Sequence, residues 1–94
     1  MKELPPGLEP YKRTPLFTGA TVPAGLLKDH STKEGTWGLI HVEEGRLRYF
    51  VTDARRPASC RDLIAGSAPG VVEPTIVHRV EPTGPVQFWV EFYR

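Results

Sequence analysis

The sequence has almost no cysteine and no excess of charge of either sign. Its single cysteine, Cys60, has no partner for a disulfide within the chain, so nothing indicates an oxidising compartment. There are 12 Lys and Arg against 11 Asp and Glu, which gives a net charge of +1 with neutral histidines. Because nucleic-acid binding depends on an excess of Lys and Arg, this balance argues against a nucleic-acid partner.

Signals for membrane insertion and secretion are also missing. No apolar run approaches the roughly 18 residues of a membrane span. Residues 1–6 lack the apolar core of a signal peptide. We therefore expect a cytoplasmic protein with no membrane partner, and at this length we expect residues 1–94 to form one domain.

Proline and glycine are frequent and spread along the whole chain. The 10 Pro and 9 Gly cut it into short segments rather than forming a linker. Proline breaks the helical hydrogen-bond ladder and glycine raises the entropy cost of a helix, so helix is disfavoured almost throughout. Short β-branched and aromatic runs between these breakers predict an all-β fold. A barrel is favoured over an open sheet because closure removes exposed strand edges.

The clearest predicted strand covers residues 86–93, in which apolar and mixed side chains alternate. Its core face is predicted to comprise Val86, Phe88, Val90 and Phe92. The opposite side, here called the outer aromatic face, comprises Gln87, Trp89, Glu91 and Tyr93. Two large aromatic residues on that face indicate a partner surface or a lined cavity. Since aromatic residues are enriched in interface cores, we expect a homodimer.

Other segments give weaker predictions. Residues 36–42 and 46–51 are predicted to form a hairpin whose turn is Glu43-Glu44-Gly45. Residues 60–65 are the only stretch predicted as a helical turn. Further short strands are predicted within residues 17–27, 70–74 and 76–80.

The three histidines are the residues most suited to chemistry. Imidazole is the commonest protein metal ligand and titrates near neutral pH. His30, His41 and His78 lie on distant segments, and two of them meeting inside a barrel would form a site. The alternative is that each is a surface histidine or a satisfied core histidine. Nucleophile elbows and glycine-rich nucleotide loops are absent from the sequence.

Several blocks of the sequence resemble the small bacterial TehB/YeaR-like family. The blocks are His-Ser-Thr-Lys-Glu-Gly-Thr-Trp-Gly at 30–38, Tyr-Lys-Arg-Thr-Pro at 11–15, Gly-Arg-Leu-Arg-Tyr at 45–49, and Val-Glu-Pro at 72–74 followed by His-Arg-Val-Glu at 78–81. This family comprises cupin-like domains that also occur at the N-terminus of the tellurite-resistance methyltransferase TehB. The resemblance implies a single cupin-like barrel (a double-stranded β-helix, or jelly roll). Without a glycine-rich nucleotide loop, it is not taken to imply methyl transfer.

The cupin motifs are only partly present. His30 and His78 match two of the four usual metal ligands, whereas Thr32 and Gly38 stand where a histidine and the glutamate are expected. The resemblance therefore implies a weak site for a divalent transition metal (zinc, iron, manganese or nickel) on His30 and His78. Inward alternation makes Glu44 a candidate third ligand and places His41 outside.

The pocket around these residues is expected to be lined by Thr32, Tyr49 and Trp89. Three functions remain open at this point. The first is a small binding protein that holds a metal ion or small oxyanion, linked by resemblance to tolerance of tellurite or of oxidative or nitrosative stress. The second is a metal-dependent enzyme such as a dioxygenase or isomerase. The third is a non-catalytic sensing or interaction module with merely structural histidines.

Overall fold

The computed structural model describes residues 3–94, which form six β-strands and one turn of 3-10 helix. The all-β prediction is confirmed. The strands are β1 (Pro10–Arg13), β2 (Phe17–Thr18), β3 (Trp37–Val51), β4 (Ser59–Ile64), β5 (Gly70–Val72) and β6 (His78–Tyr93). Within residues 3–94, no helix is long and apolar enough to cross a membrane.

Two long antiparallel strands, β3 and β6, form the centre of the sheet. Their register runs from Trp37 opposite Tyr93 to Val51 opposite His78. The other edge of β3 pairs with β5 near its start and with β4 near its end. The other edge of β6 pairs with β1 and β2, and at its first residue with the backbone of His30. This topology places the segment before β3 beside the start of β6.

The sheet is open, so the prediction of a closed barrel is wrong. The hydrogen-bonded path runs β1-β6-β3-β4 and does not return to β1. The strands at the outer edge of β6 are only 4 and 2 residues long, and Pro15 lies between them without an amide hydrogen for the ladder. Edge strands this short expose few unpaired backbone groups to another chain, so the sheet does not have to close into a barrel to protect them.

Residues 37–51 form one continuous strand, so the predicted hairpin turn at residues 43–45 is wrong. The pairing of β3 with β6 continues through this segment, with register shifts between Val42 and Glu44 and between Gly45 and Leu47. Gly45 has a φ of 80°, and a Cβ there would overlap the carbonyl oxygen of Pro85. The glycine that looks like a turn residue therefore allows a bulge where β6 approaches closely.

The bulge also changes which residues of β3 point inward. Before it, Gly38 and Ile40 are buried, whereas after it Leu47 and Tyr49 are buried. Even-numbered positions thus face the core at the start of the strand and odd-numbered positions at its end. Simple alternation cannot be extended across residues 43–46.

The predicted helical turn over residues 60–65 is also wrong, because β4 occupies Ser59–Ile64 and pairs with β3. The one helical turn in the described part of the chain is the 3-10 turn Ala24–Leu27. Leu63 alternates with exposed neighbours and is 1% exposed. Packing of Leu63 in the core therefore outweighs the weak helical tendency of this short segment.

The core lies on the inward side of β3 and β6. Its largest fully buried side chains are Leu47, Leu63 and Phe88. On β6, Val86, Phe88 and Val90 are buried and their alternate neighbours are partly exposed, which confirms the predicted core face. Phe92, the last residue of this face, is only partly buried, and its side chain lines a cavity.

Candidate functional site

His30 and His78 meet at the edge of the sheet. Their backbones form an isolated antiparallel bridge, in which each N–H donates to the other residue's carbonyl oxygen at 2.9 Å. The ring centroids are 4.2 Å apart, with 60° between the ring planes. The pairing is thus imposed by two backbone hydrogen bonds, and the close contact of the imidazoles follows from it.

Both imidazoles are held in a defined tautomer. Nδ1 of His30 lies 2.8 Å from the carbonyl oxygen of Lys28, and Nδ1 of His78 lies 2.9 Å from that of Ile76. Because a carbonyl only accepts hydrogen bonds, each Nδ1 is the donor. In the described part of the chain, neither Nε2 has a hydrogen-bond partner. The two Nε2 atoms are therefore the nitrogens available to a ligand.

His78 is buried, and this favours its neutral form. Burial lowers the pKa of His78 below its usual value of 6.5, and the neighbouring His30 lowers it further. The hydrogen bond to the Ile76 carbonyl and the charge of Asp29 act in the opposite direction. At neutral pH, His78 therefore presents a lone pair on Nε2.

The pair lines a cavity of about 640 Å³, here called the main cavity. Its volume falls within the roughly 300–1,000 Å³ of small-molecule sites. The inner wall is apolar and comes mainly from the inward faces of the central strands. It includes Ile40, Val72, Val80, Phe88, Val90 and Phe92. The main cavity is thus a space beside the core that is lined by core side chains.

The mouth of the main cavity is basic. Lys12, Lys33 and Arg94, here called the cationic rim, are exposed and contribute to its lining. Arg94 is held over the ring of Tyr11, with its guanidinium carbon 4.1 Å from the ring centroid. Among the lining residues in the described chain there is no Asp or Glu, and neither lysine forms an ion pair with a described residue. A negatively charged ligand would therefore meet cationic side chains at the mouth and no Asp or Glu side chain in the lining.

The residues expected to line the pocket lie in three different places. Thr32 lines the main cavity, and its hydroxyl donates to the carbonyl oxygen of Thr36 at 2.8 Å. Tyr49 contacts the His78 ring edge to face, with centroids 5.7 Å apart, but lines a second cavity of about 330 Å³. Its hydroxyl donates to Val71 at 2.9 Å, and burial, helped by the charge of Glu73, raises the pKa of Tyr49 to about 12. Tyr49 therefore packs against the His78 ring from the side of the second cavity and does not line the main cavity.

Trp89 lies on the outer aromatic face, away from the main cavity. Its ring stacks on His41 with centroids 4.2 Å apart, and the guanidinium carbon of Arg13 lies 4.3 Å from its centroid. Its Nε1 donates to Glu43 at 2.7 Å. His41 also contacts Glu91 at 3.3 Å, so it lies outside, as alternation indicated.

Glu44 is exposed, follows the first register shift of β3 and does not line the main cavity. Over residues 3–94, no group of three or more His, Cys, Asp or Glu is placed to hold a metal ion. Resident zinc and iron sites generally have three or four protein ligands. The two imidazoles thus do not by themselves fit a resident metal centre.

Sequence reasoning missed the cationic rim. Lys12 and Arg13 form a pair too short to read as a basic patch, and Lys33 and Arg94 lie far from it in sequence. The antiparallel pairing of β1 with the end of β6 places Lys12 opposite Phe92, two residues before Arg94, and both Lys12 and Arg94 line the main cavity. No local signal in the sequence contains this juxtaposition.

Comparison with known proteins agrees with this architecture. The family described as TehB-like domain matches residues 12–90. Two relatives from strains of Haemophilus influenzae, each named probable S-adenosyl-L-methionine-dependent methyltransferase TehB, are 31% and 32% identical over 72 residues. Each match covers 76% of this chain and 25% of the relative, so the chain spans about a quarter of these relatives.

Two crystal structures share the fold. TehB from Haemophilus influenzae aligns with a TM-score of 0.83 and 30% identity, covering 92% of this chain and 31% of that one. A protein from Escherichia coli strain K12 aligns with a TM-score of 0.86 and 24% identity, covering 100% of this chain and 97% of that one. The second likeness shows the fold alone. From the family match and the TehB relatives, we conclude that this chain belongs to the TehB-like domain family.

Proposed function

We propose that the main cavity binds a small anion and that the domain acts as a binding or sensing module rather than as a methyltransferase. The observation that carries this proposal is the cationic rim at the mouth of a cavity whose described lining has no Asp or Glu side chain. Clefts lined by one sign of charge raise the local concentration of oppositely charged ligands. The near-neutral net charge of the chain makes this local concentration of positive charge a property of the site rather than of the whole surface.

The histidine pair gives the site a second way to recognise an anion. With each Nδ1–H already donated to a carbonyl, Nε2 accepts a hydrogen bond when neutral and donates one when protonated. A bound anion beside the rings would favour the protonated form. The neutral pair can therefore accept a hydrogen bond from a hydroxyl of the ligand. After taking up a proton, it can form an ion pair with the negative charge of the ligand.

The biological setting of this proposal comes from the relatives and the family resemblance. The curated relatives are named TehB, and the family resemblance links such domains to tolerance of tellurite, itself an oxyanion, or of oxidative or nitrosative stress. For the fold, we propose in addition that the domain is a cupin-like jelly roll. The antiparallel strands around an apolar cavity support that assignment.

A divalent metal on His30 and His78 is the rival candidate, favoured by the two free Nε2 atoms. Two imidazoles would bind it weakly, and a dioxygenase or isomerase site would need further ligands that the described residues do not place nearby. If a metal is held, it should be lost from both His30→Ala and His78→Ala and retained in His41→Ala. Metal analysis of protein purified without a histidine tag measures this directly.

Titration calorimetry with sodium tellurite and sodium 2-naphthoate, two anions of different size, tests the proposed function. We expect at least one to bind, and Lys33→Ala to weaken it roughly two- to fivefold, the range of an exposed ion pair. The matched control is Lys28→Ala, an exposed lysine outside the main cavity, which should bind as the wild type does. Absence of binding by both anions, or equal binding by both variants, would overturn the proposal.

A further inference from the structure

We infer that the anion bound in the main cavity is an organic one, with an apolar body and an acidic group at one end, rather than a bare inorganic oxyanion. This inference rests on the proposed function and adds the chemical class of the ligand. It follows from three properties of the main cavity: its volume, the apolar character of its inner wall, and the separation of that wall from the cationic rim.

The volume is too large for an inorganic oxyanion alone. The main cavity measures about 640 Å³, whereas one water molecule takes about 30 Å³ in the liquid. An oxyanion the size of a few waters would leave most of the space filled with solvent. Displacement of solvent from apolar walls is favourable, so an organic body of matching size gains affinity that a bare oxyanion cannot.

The inner wall is apolar and deeply placed. Phe17 and Phe92 line the main cavity, are only partly buried and so offer accessible apolar surface to a ligand. Both pack against a core that includes Phe88, Ile40 and Val72. On the opposite side, the 3-10 turn contributes Leu26, which is partly buried, whereas the next residue, Leu27, is 41% exposed and does not line the main cavity. A ligand that fills this space is therefore enclosed by hydrocarbon side chains.

The charges are confined to the mouth, and this sets the orientation of the ligand. All three members of the cationic rim are exposed, whereas the strand residues of the wall are buried or, in the case of Phe17 and Phe92, partly buried. An acidic group at the mouth keeps its hydration and meets the cations, and the apolar body points inward past the histidine pair. The reverse orientation would bury a charge against Phe88 and Val90, which is strongly unfavourable.

The inference is tested on the wild-type chain with four probes in one calorimetric series: 2-naphthoate, its neutral amide 2-naphthamide, acetate and tellurite. We expect 2-naphthoate to bind at least roughly tenfold more tightly than acetate or tellurite, because its rings bury apolar surface. We also expect it to bind more tightly than 2-naphthamide, because only the carboxylate pairs with the rim.

A pair of neighbouring leucines provides the matched variants. Leu26→Ala removes part of the cavity wall and should weaken 2-naphthoate binding severalfold without a similar effect on tellurite. Leu27→Ala shortens an exposed side chain of the same turn and should leave binding unchanged. Circular dichroism verifies that both variants are folded. If Leu26→Ala does not fold, the relative affinities of the four probes for the wild type still test the inference.

The outcomes separate the inference from the proposed function. Tellurite binding as tightly as 2-naphthoate, with sensitivity to Lys33→Ala, would overturn the organic ligand and leave anion binding standing. Equal affinity for 2-naphthoate and 2-naphthamide would overturn anion recognition itself. Absence of binding by all four probes would overturn both.

Discussion

At the scale of single residues, the histidine pair combines one buried and one more accessible imidazole. His78 is 4% exposed and is packed against Tyr49, whereas His30 is partly exposed. Only neutral imidazole fits the buried position without a desolvation penalty. The burial that prepares His78 to offer a lone pair thus also couples it to folding.

This coupling predicts a loss of stability in mild acid. Burial lowers the pKa of His78 in the folded chain, so the unfolded chain binds the proton first as pH falls below about 6.5. The contribution of His78 is therefore fully present above that pH and is lost as pH falls toward its folded pKa, by at most about 1.4 kcal/mol per pH unit. His78→Gln, which keeps an amide donor for Ile76, should show a shallower decrease.

Urea unfolding at about pH 7.5 and about pH 5.5 measures the effect. The difference in unfolding free energy between the two pH values should be smaller for His78→Gln than for the wild type. His41→Gln, on the outer aromatic side of the sheet, leaves the buried imidazole untouched and is the control. Equal pH dependence of the wild type and His78→Gln would show that the buried ring does not govern this response.

At the scale of elements, the bulge in β3 decides how the sheet is built. It lets a single strand of 15 residues pair with β6 along nearly its whole length. It also changes the inward-facing positions of β3 from even-numbered to odd-numbered. Ile40 thus lines the main cavity, and Tyr49 on the same strand packs against His78. The extra residue of β3 is Glu43, which lies between the pairs Val42–Phe88 and Glu44–Gln87. Without it, one half of β3 would direct its apolar side chains to solvent.

Gly45 lies between the two register shifts, where β6 approaches β3 closely. Gly45→Ala would combine a left-handed backbone with overlap between the new Cβ and the Pro85 carbonyl, so we expect a loss above about 3 kcal/mol. Gly35 has the same φ of 80° but open space around its Cα. Gly35→Ala should therefore cost only about 1–2 kcal/mol, the backbone term alone.

Thermal and urea unfolding of the two glycine variants provide the measurement. Because the φ angles match, the difference between them isolates the close approach of β6. Similar losses in both variants would mean that β6 moves aside easily at Pro85. That result would also weaken the assignment of the bulge as a rigid feature.

At the scale of the whole molecule, the homodimer expected from the outer aromatic face stays a prediction. Trp89 is partly exposed although Arg13 and His41 both contact its ring. We expect light scattering at high micromolar concentration to give the mass of a dimer and Trp89→Ser to give that of a monomer. Phe50→Ser is the matched control, since Phe50 also lies partly buried beneath an arginine, Arg79, elsewhere on the sheet. A monomeric wild type would refute the dimer.

Several properties of this chain could be derived from its sequence because they depend on local chemistry. The spacing of Pro and Gly excluded long helices, and strict alternation identified the core face of residues 86–93. The motif resemblance selected His30 and His78, and the two rings do meet. The first two properties depend on a few neighbouring residues, where backbone geometry and side-chain period act directly, whereas the pairing of His30 with His78 was implied only by the family resemblance.

Only the tertiary structure decided the open edge of the sheet, the bulge at Gly45 and the positions of Glu44, Tyr49 and Trp89 relative to the main cavity. The cationic rim is the clearest case, because pairing of β1 with β6 places Lys12 opposite Phe92 near the other end of the chain, so that Lys12 and Arg94 line the same cavity. A single extra residue in one strand reverses which side chains face inward, and alternation read along the sequence cannot detect that residue. The cavity and its charge depend on such long-range pairing, whereas the all-β character of the chain does not.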